Sequence, residues 1–142
     1  MSDNSTFIKK YRPYRLTDFY TNDTFKQAVN TLISVDDINI LFIGNNNSGK
    51  TSLLNTLIRE YYDLSTTDSL PENNILFVNN LKEQGIQYFR NDMKTFCQSM
   101  SSIYGKKKLV LIDDIDTINE QSQQVFRNYI DKYRNNIQFI CV

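Results

Sequence analysis

The octapeptide GNNNSGKT at positions 44–51 constrains this chain more than any other stretch, because of what lies on either side of it. An apolar run, INILFI, leads in, and a pattern with Leu53, Leu54, Leu57 and Ile58 on one helical face leads out. The spacing fits G-x-x-x-x-G-K-[ST], a strand-loop-helix unit in which backbone N–H groups face the oxygens of a phosphate and the helix adds the positive end of its dipole. Three Asn occupy positions commonly given to Pro and Gly. Such a loop needs backbone at positive φ, which Gly supplies freely and Asn tolerates better than most residues, so Asn47 is expected in a Gly-like slot. Gly44, Asn45, Asn46, Asn47, Ser48 and Gly49 then form the cradle. Lys50 is placed to reach the β and γ phosphates of a nucleotide, and the Thr51 hydroxyl to ligate Mg²⁺. The competing reading is a polar β-to-α turn with no ligand.

A metal at such a loop needs carboxylates, and LVLIDDID at 109–116 supplies them directly after a buried type of strand. Asp113, at the carboxyl end of that strand, is expected to hold Mg²⁺ through water, and Asp114 to orient or activate the attacking water. Both motifs fall at the carboxyl ends of strands, where ligands sit in open α/β sheets. As an alternative, DDID is a capping cluster that opens the next helix.

Short apolar runs at 38–43, 75–78, 109–112 and 137–142 read as strands, and amphipathic stretches at 24–33, 51–58, 85–100 and 120–134 read as helices. Their alternation predicts an α/β chain. Ile86, Phe89, Met93 and Phe96 form a stripe expected to face the core. The segment 63–74 reads as a surface loop, residues 1–6 as a disordered terminus, and Lys106, Lys107 and Lys108 as a solvated turn. The last strand stops at Val142 with no helix after it, so the chain reads as truncated.

Composition narrows the function classes. Lys plus Arg and Asp plus Glu balance at 16 each, so any contact with nucleic acid must come from local placement rather than net charge. The absence of His, with only Cys97 and Cys141 as thiols, removes the usual zinc sites and leaves two buried cysteines in a reducing compartment. No run approaches 18 apolar residues, and MSDNSTFIKK lacks the apolar core of a secretory signal, so no membrane partner is expected.

Three further stretches carry a resemblance that extends over nearly the whole chain. KKYRPYRLTDF resembles an E-K-Y-R-P-x-x-L-x-D-hydrophobic box, NILFVNNLKEQGIQYFRNDMKTFCQS resembles a strand followed by R-G-I and a helix ending in K-T-F, and EQSQQVFRNYIDKYRNNIQFI resembles a helix with A-Q-Q-A-L-R-R and the strand beyond it. Together with the phosphate loop they resemble the small subunits of replication factor C, the clamp-loader branch of the AAA+ ATPases. The resemblance implies a P-loop NTPase fold, a three-layer α/β/α sandwich with a parallel sheet truncated after the fourth strand. Residues 7–142 would be an AAA+ nucleotide-binding domain lacking the sensor, arginine finger, lid and collar, and the strand at 38–43 would be left as an apolar edge.

The same resemblance implies ATP and Mg²⁺ as cofactors, with Tyr11, Arg12 and Pro13 near the adenine. Gly85, Ile86 and Arg90 match a helix start that faces the DNA backbone. The implied partners are sister clamp-loader subunits, a sliding clamp and primer-template DNA, in the nucleus or the cytoplasm; the excess of Asn would suit a viral replication site. The implied activity is ATP hydrolysis coupled to loading of the clamp, in a longer chain or an oligomer. A non-hydrolysing structural subunit, or another AAA+ ATPase acting on DNA, are the alternatives. Three departures bear on these: Asp114 replaces a Glu and is shorter by about 1.5 Å, Gln84 stands where the family has Arg, and the family's adenine-box Gly falls near Tyr20 and Thr21.

Overall fold

The computed structural model describes residues 6–79 and 81–142, and for 81–89 the backbone alone. The expected disordered segment 1–6 lies outside the described residues except for Thr6. Strands that are apolar at successive positions are stable when both faces of their sheet are covered. Here β1 (Ile40–Leu41), β2 (Ile75–Val78), β3 (Lys108–Ile112) and β4 (Ile137–Cys141) form one parallel sheet in the order β1-β4-β3-β2. The central strands β3 and β4 are buried at every position and pair Val110 with Phe139.

Helices cover both faces, which gives the three layers expected. The helices are α1 (Phe7–Lys10), α2 (Asp23–Ser34), α3 (Lys50–Tyr61), α4 (Leu81–Gln98) and α5 (Glu120–Tyr133). Because side chains alternate along a strand, Leu109, Leu111 and Ile140 share one cluster with Leu54, Leu57 and Ile58 of α3 and Val29 of α2. Val110, Ile112 and Phe139 share another with Met93 and Cys97 of α4 and Phe126 of α5. Asn22 and Asn119 start α2 and α5, each accepting a backbone N–H with its side-chain oxygen, from Phe25 at 2.7 Å and Ser122 at 2.9 Å.

The strand expected over 38–43 pairs as a ladder only at Ile40–Leu41, because side-chain amides take over its start. Gln138 is wholly buried. Its Oε1 accepts the Ile38 N–H at 3.1 Å and its Nε2 donates to the Asp36 carbonyl at 2.6 Å. Asn39 Oδ1 accepts the Phe139 N–H at 2.8 Å, and the backbone resumes with Phe42 N–H donating to the Cys141 carbonyl at 2.9 Å. β1 lies at the edge of the sheet among the described residues, with Leu41 and Ile43 exposed, as the resemblance implied.

Other expectations change. α4 begins at Leu81, four residues before the expected start, so Gly85 sits in its second turn rather than among the free first-turn N–H groups. In the core stripe, Met93 is buried and Phe96 packs against the same cluster, while the side chains of Ile86 and Phe89 lie outside the described residues. The lysine run is not a solvated turn. Lys108 is buried, donating to the Phe96 carbonyl at 2.7 Å and to Ser99 Oγ near the end of α4. Lys107 pairs with Asp36 at 3.4 Å, and Lys106 lies 4.8 Å from the Tyr61 ring. The 63–74 loop ends in a 3₁₀ turn whose Asn74 is buried and accepts from Ser102 N and Oγ. Cys97 and Cys141 are buried free thiols, as expected, and desolvation pushes both up to about 11.

Candidate functional site

The loop between β1 and α3 turns twice through left-handed backbone, at Asn47 (φ 61°) and Gly49 (φ 90°). Asn47 therefore occupies the Gly-like slot expected of it, and Gly49 forms the cap of α3. A Cβ at Gly44 would lie 2.9 Å from Ser48 Oγ, which can rotate away, so the position does not require glycine for space. Asn47→Gly should leave stability within about 0.5 kcal/mol, whereas Asn47→Val should cost about 1–2 kcal/mol because a β-branched residue resists this backbone. Chemical denaturation checks both, and an unchanged midpoint for the Val variant would mean that the turn does not require positive φ.

Lys50 folds back along the loop, its Nζ donating to the carbonyls of Gly44 and Asn45 at 2.8 Å each. An ammonium has three donors, so this anchoring leaves capacity for an anion beside the loop. The first N–H groups of α3 add to that capacity, and the helix is held rigidly because Leu54, Leu57 and Ile58 are buried against the sheet. Two left-handed residues, a fixed helix start and a lysine together fit a polyphosphate. Thr51, at the second position of α3, is exposed.

The acidic pair lies beyond β3, tied to the strand ends on either side. Asp113 N–H donates to the Val78 carbonyl at 3.1 Å, extending the β2–β3 ladder, and its Oδ1 accepts the Asp114 N–H at 3.0 Å. Ile115 N–H donates to the Val142 carbonyl at 3.0 Å. Asp114 is exposed and itself left-handed (φ 54°), with its carbonyl accepting from Thr117 N and Oγ1. It precedes a 3₁₀ turn at Ile115–Thr117 with no side-chain cap, and α5 is capped by Asn119, so DDID does not act as the helix cap. The hydroxyl and carboxylate oxygens of Thr51 and Asp113 are hard ligands of the kind Mg²⁺ takes, in sites that otherwise draw on water and substrate phosphates. Among the described residues no group of three or more His, Cys, Asp or Glu is placed to hold a metal without such help.

Two clefts flank the loop. One, of about 220 Å³, brings Gly44, Asn46 and Lys50 together with Asp114 and Asp116. The other, of about 300 Å³, joins Ser48 and Gly49 to Phe19, Tyr20, Phe25 and Phe42. Tyr11, Arg12 and Pro13 line neither. Tyr11 is 63% exposed and packs on Phe7 at 4.6 Å between ring centroids, while the Pro13 carbonyl accepts from Thr56 Oγ1 at 3.3 Å. Leu16 N–H then donates to Glu60 Oε1 at 2.9 Å, so this segment is pinned along α3 and delivers Phe19, Tyr20 and Thr21 to the second cleft. Those aromatics were missed because Phe25 and Phe42 read as core positions; the departure at Tyr20 and Thr21 was the one available signal. Arg90 is exposed on α4, away from both clefts, with its carbonyl accepting from Tyr129 OH at 3.3 Å. Gly85 lies on the same helix by its backbone, and the Ile86 side chain lies outside the described residues.

Known proteins match both the loop and its surroundings. A family model described as an AAA domain matches residues 36–142. The chain is 28% identical to replication factor C subunit 3 of Saccharomyces cerevisiae over 99% of its own length and 40% of that protein. It is 28% identical to the probable replication factor C subunit 5 of Dictyostelium discoideum (96% of this chain, 39% of that one). Identity to the replication factor C small subunit of Methanoregula boonei is 26% (96% and 41%). The chain thus spans about 40% of the length of the curated relatives it matches.

Proposed function

Because the chain belongs to the AAA domain family and is similar to replication factor C subunits over nearly all its length, we infer that it is the nucleotide-binding part of a clamp-loader ATPase subunit. The observation that carries this reading is the loop, in which Asn47 and Gly49 are left-handed and the folded-back Lys50 shares one cleft with Asp114. The loop's N–H groups and Lys50 bind the triphosphate of ATP and orient it. Thr51 and Asp113 hold Mg²⁺, which when bound neutralises charge on the phosphates. Asp114 orients the attacking water, and Lys50 stabilises the charge that develops on the transferred phosphoryl group. Sister subunits complete the catalytic set and form the ring that opens a sliding clamp on primer-template DNA. Arg90, exposed on α4, is assigned to the DNA backbone as a phosphate contact that positions rather than reads sequence; Gly85 and Ile86, past the first turn of the same helix, bring no free N–H to it.

One feature favours a second reading, binding without turnover. Asp114 is about 1.5 Å shorter than Glu, and its left-handed backbone suits Asp better than Glu. The two readings separate in one experiment on the chain assembled with its sister subunits. ATP-dependent capture of a sliding clamp, lost in Lys50→Ala, is expected under both. DNA-stimulated turnover that falls on the order of 100-fold in Asp114→Asn supports the hydrolytic subunit. Native turnover at background, rising in Asp114→Glu, supports the binding-only subunit. Failure to capture a clamp in any nucleotide state would sink both and leave another AAA ATPase acting on DNA.

A further inference from the structure

Residues 9–15, KKYRPYR, hold four cations and no carboxylate, in a chain whose charges balance overall. Clustering of this kind, rather than net charge, is the electrostatic footprint of a surface for polyanions. Arg15 is paired with Glu60 at 3.6 Å, and Asp18 is taken up by the N–H groups of Tyr14 and Arg15 at 2.9 Å each. Lys9, Lys10 and Arg12 are exposed, and among the described residues no carboxylate lies within salt-bridge distance of any of them. The aromatics divide in the same way. Arg59 covers the Tyr14 ring, 5.5 Å from its centroid, whereas Tyr11 is 63% exposed and has Lys10 Nζ 5.6 Å from its own. α1 buries none of its residues, and a lone helical turn is marginal in water, so this surface gains nothing from the rest of the fold. The segment is tied to α3 and ends in Leu16, within the cluster on that face of the sheet, while the α4 of Arg90 packs on the other face.

We propose that residues 9–12 are a second nucleic-acid contact, which takes the phosphates of a single strand on Lys9, Lys10 and Arg12 and stacks a base on Tyr11. Phosphates alternate with bases along a strand, so a ring set among cations meets both, and an unpaired strand leaves its bases free to stack. A carboxylate-rich protein would answer the cations alone. The proposal rests on the reading of this chain as one that acts on DNA, but it uses neither nucleotide nor clamp.

Fluorescence anisotropy of a labelled oligothymidylate titrated with the full chain, without nucleotide and over a range of salt, tests it. Changing all three cations (Lys9→Gln, Lys10→Gln, Arg12→Gln) should weaken binding by about tenfold or more at low salt and lower the slope of log K against log salt by about 2. Tyr11→Ala should weaken it on the order of tenfold with the salt slope unchanged, a split that a merely structural loss would not produce. The four positions are exposed, and thermal melting checks that each variant keeps its fold. Native affinity and slope in the triple variant would overturn the proposal. So would tighter binding of the native chain to polyglutamate or to phosphatidylserine vesicles than to oligothymidylate. If Arg90→Ala abolishes a binding that the triple variant keeps, the DNA reading stands and the second contact falls. Absence of any binding to oligothymidylate also overturns it, while ATP-dependent clamp capture still reads the proposed function separately.

Discussion

Lys50→Ala is expected to weaken Mg²⁺–ATP binding by roughly 100-fold, corresponding to about 2–3 kcal/mol. The side chain supplies the charge-assisted donors nearest the loop, and its removal leaves backbone N–H groups and the helix dipole to hold the triphosphate. A smaller structural cost accompanies the loss, since Nζ also ties the Gly44 and Asn45 carbonyls. Those carbonyls belong to exposed residues and can turn to water, so the thermal midpoint should move little. Isothermal titration against Mg²⁺–ATP, alongside a melting curve, reads both quantities. Native affinity in the variant would mean that the lysine's role is confined to the loop's own carbonyls.

Leu57→Ala is expected to cost about 3 kcal/mol of stability. Leu57 is wholly buried where α3 crosses the sheet, in the cluster that also holds Leu109, Leu111 and Ile140. Truncation removes its transfer free energy and leaves a cavity that two rigid layers cannot close. A domain of this size has about 5–15 kcal/mol in total, so the variant should unfold at clearly lower urea. The effect should reach the site as well, because α3 carries Gly49, Lys50 and Thr51 at its start. A loss below about 1 kcal/mol would mean that α3 is packed more loosely than its burial implies.

The conformation of the loop and the place of the acidic pair just after β3 were legible because both are local. Spacing alone fixes strand, turn and helix, and the tolerance of Asn for left-handed backbone correctly placed Asn47. The core strands were legible for a related reason, since apolar runs covered on both faces need no partner to be recognised. What was not legible depends on distant partners. The start of β1 fails as a ladder because of Gln138, 100 residues away from the Ile38 it pairs with. Lys108 reads as solvated until the fold brings the Phe96 carbonyl to it. The cleft aromatics Phe19 and Phe42 carry no chemistry in sequence that separates a pocket wall from a core residue; only the fold puts them beside Ser48 and Gly49. α4 begins earlier than its apolar stripe indicated, because the polar turn ahead of Gly85 joins the helix without contributing to that stripe.

The claim that residues 44–51 hold a nucleotide's phosphates is open to residue-level inspection by amide chemical-shift mapping of the ¹⁵N-labelled chain titrated with Mg²⁺–ATP. The largest shifts should fall on the backbone N–H groups of 45–51 and the side-chain ammonium of Lys50, with smaller ones at Asp113 and Asp114, and adenosine without phosphates should not reproduce those in the loop. Saturable shifts that leave 45–51 unmoved, or a spectrum indifferent to Mg²⁺–ATP, would contradict it.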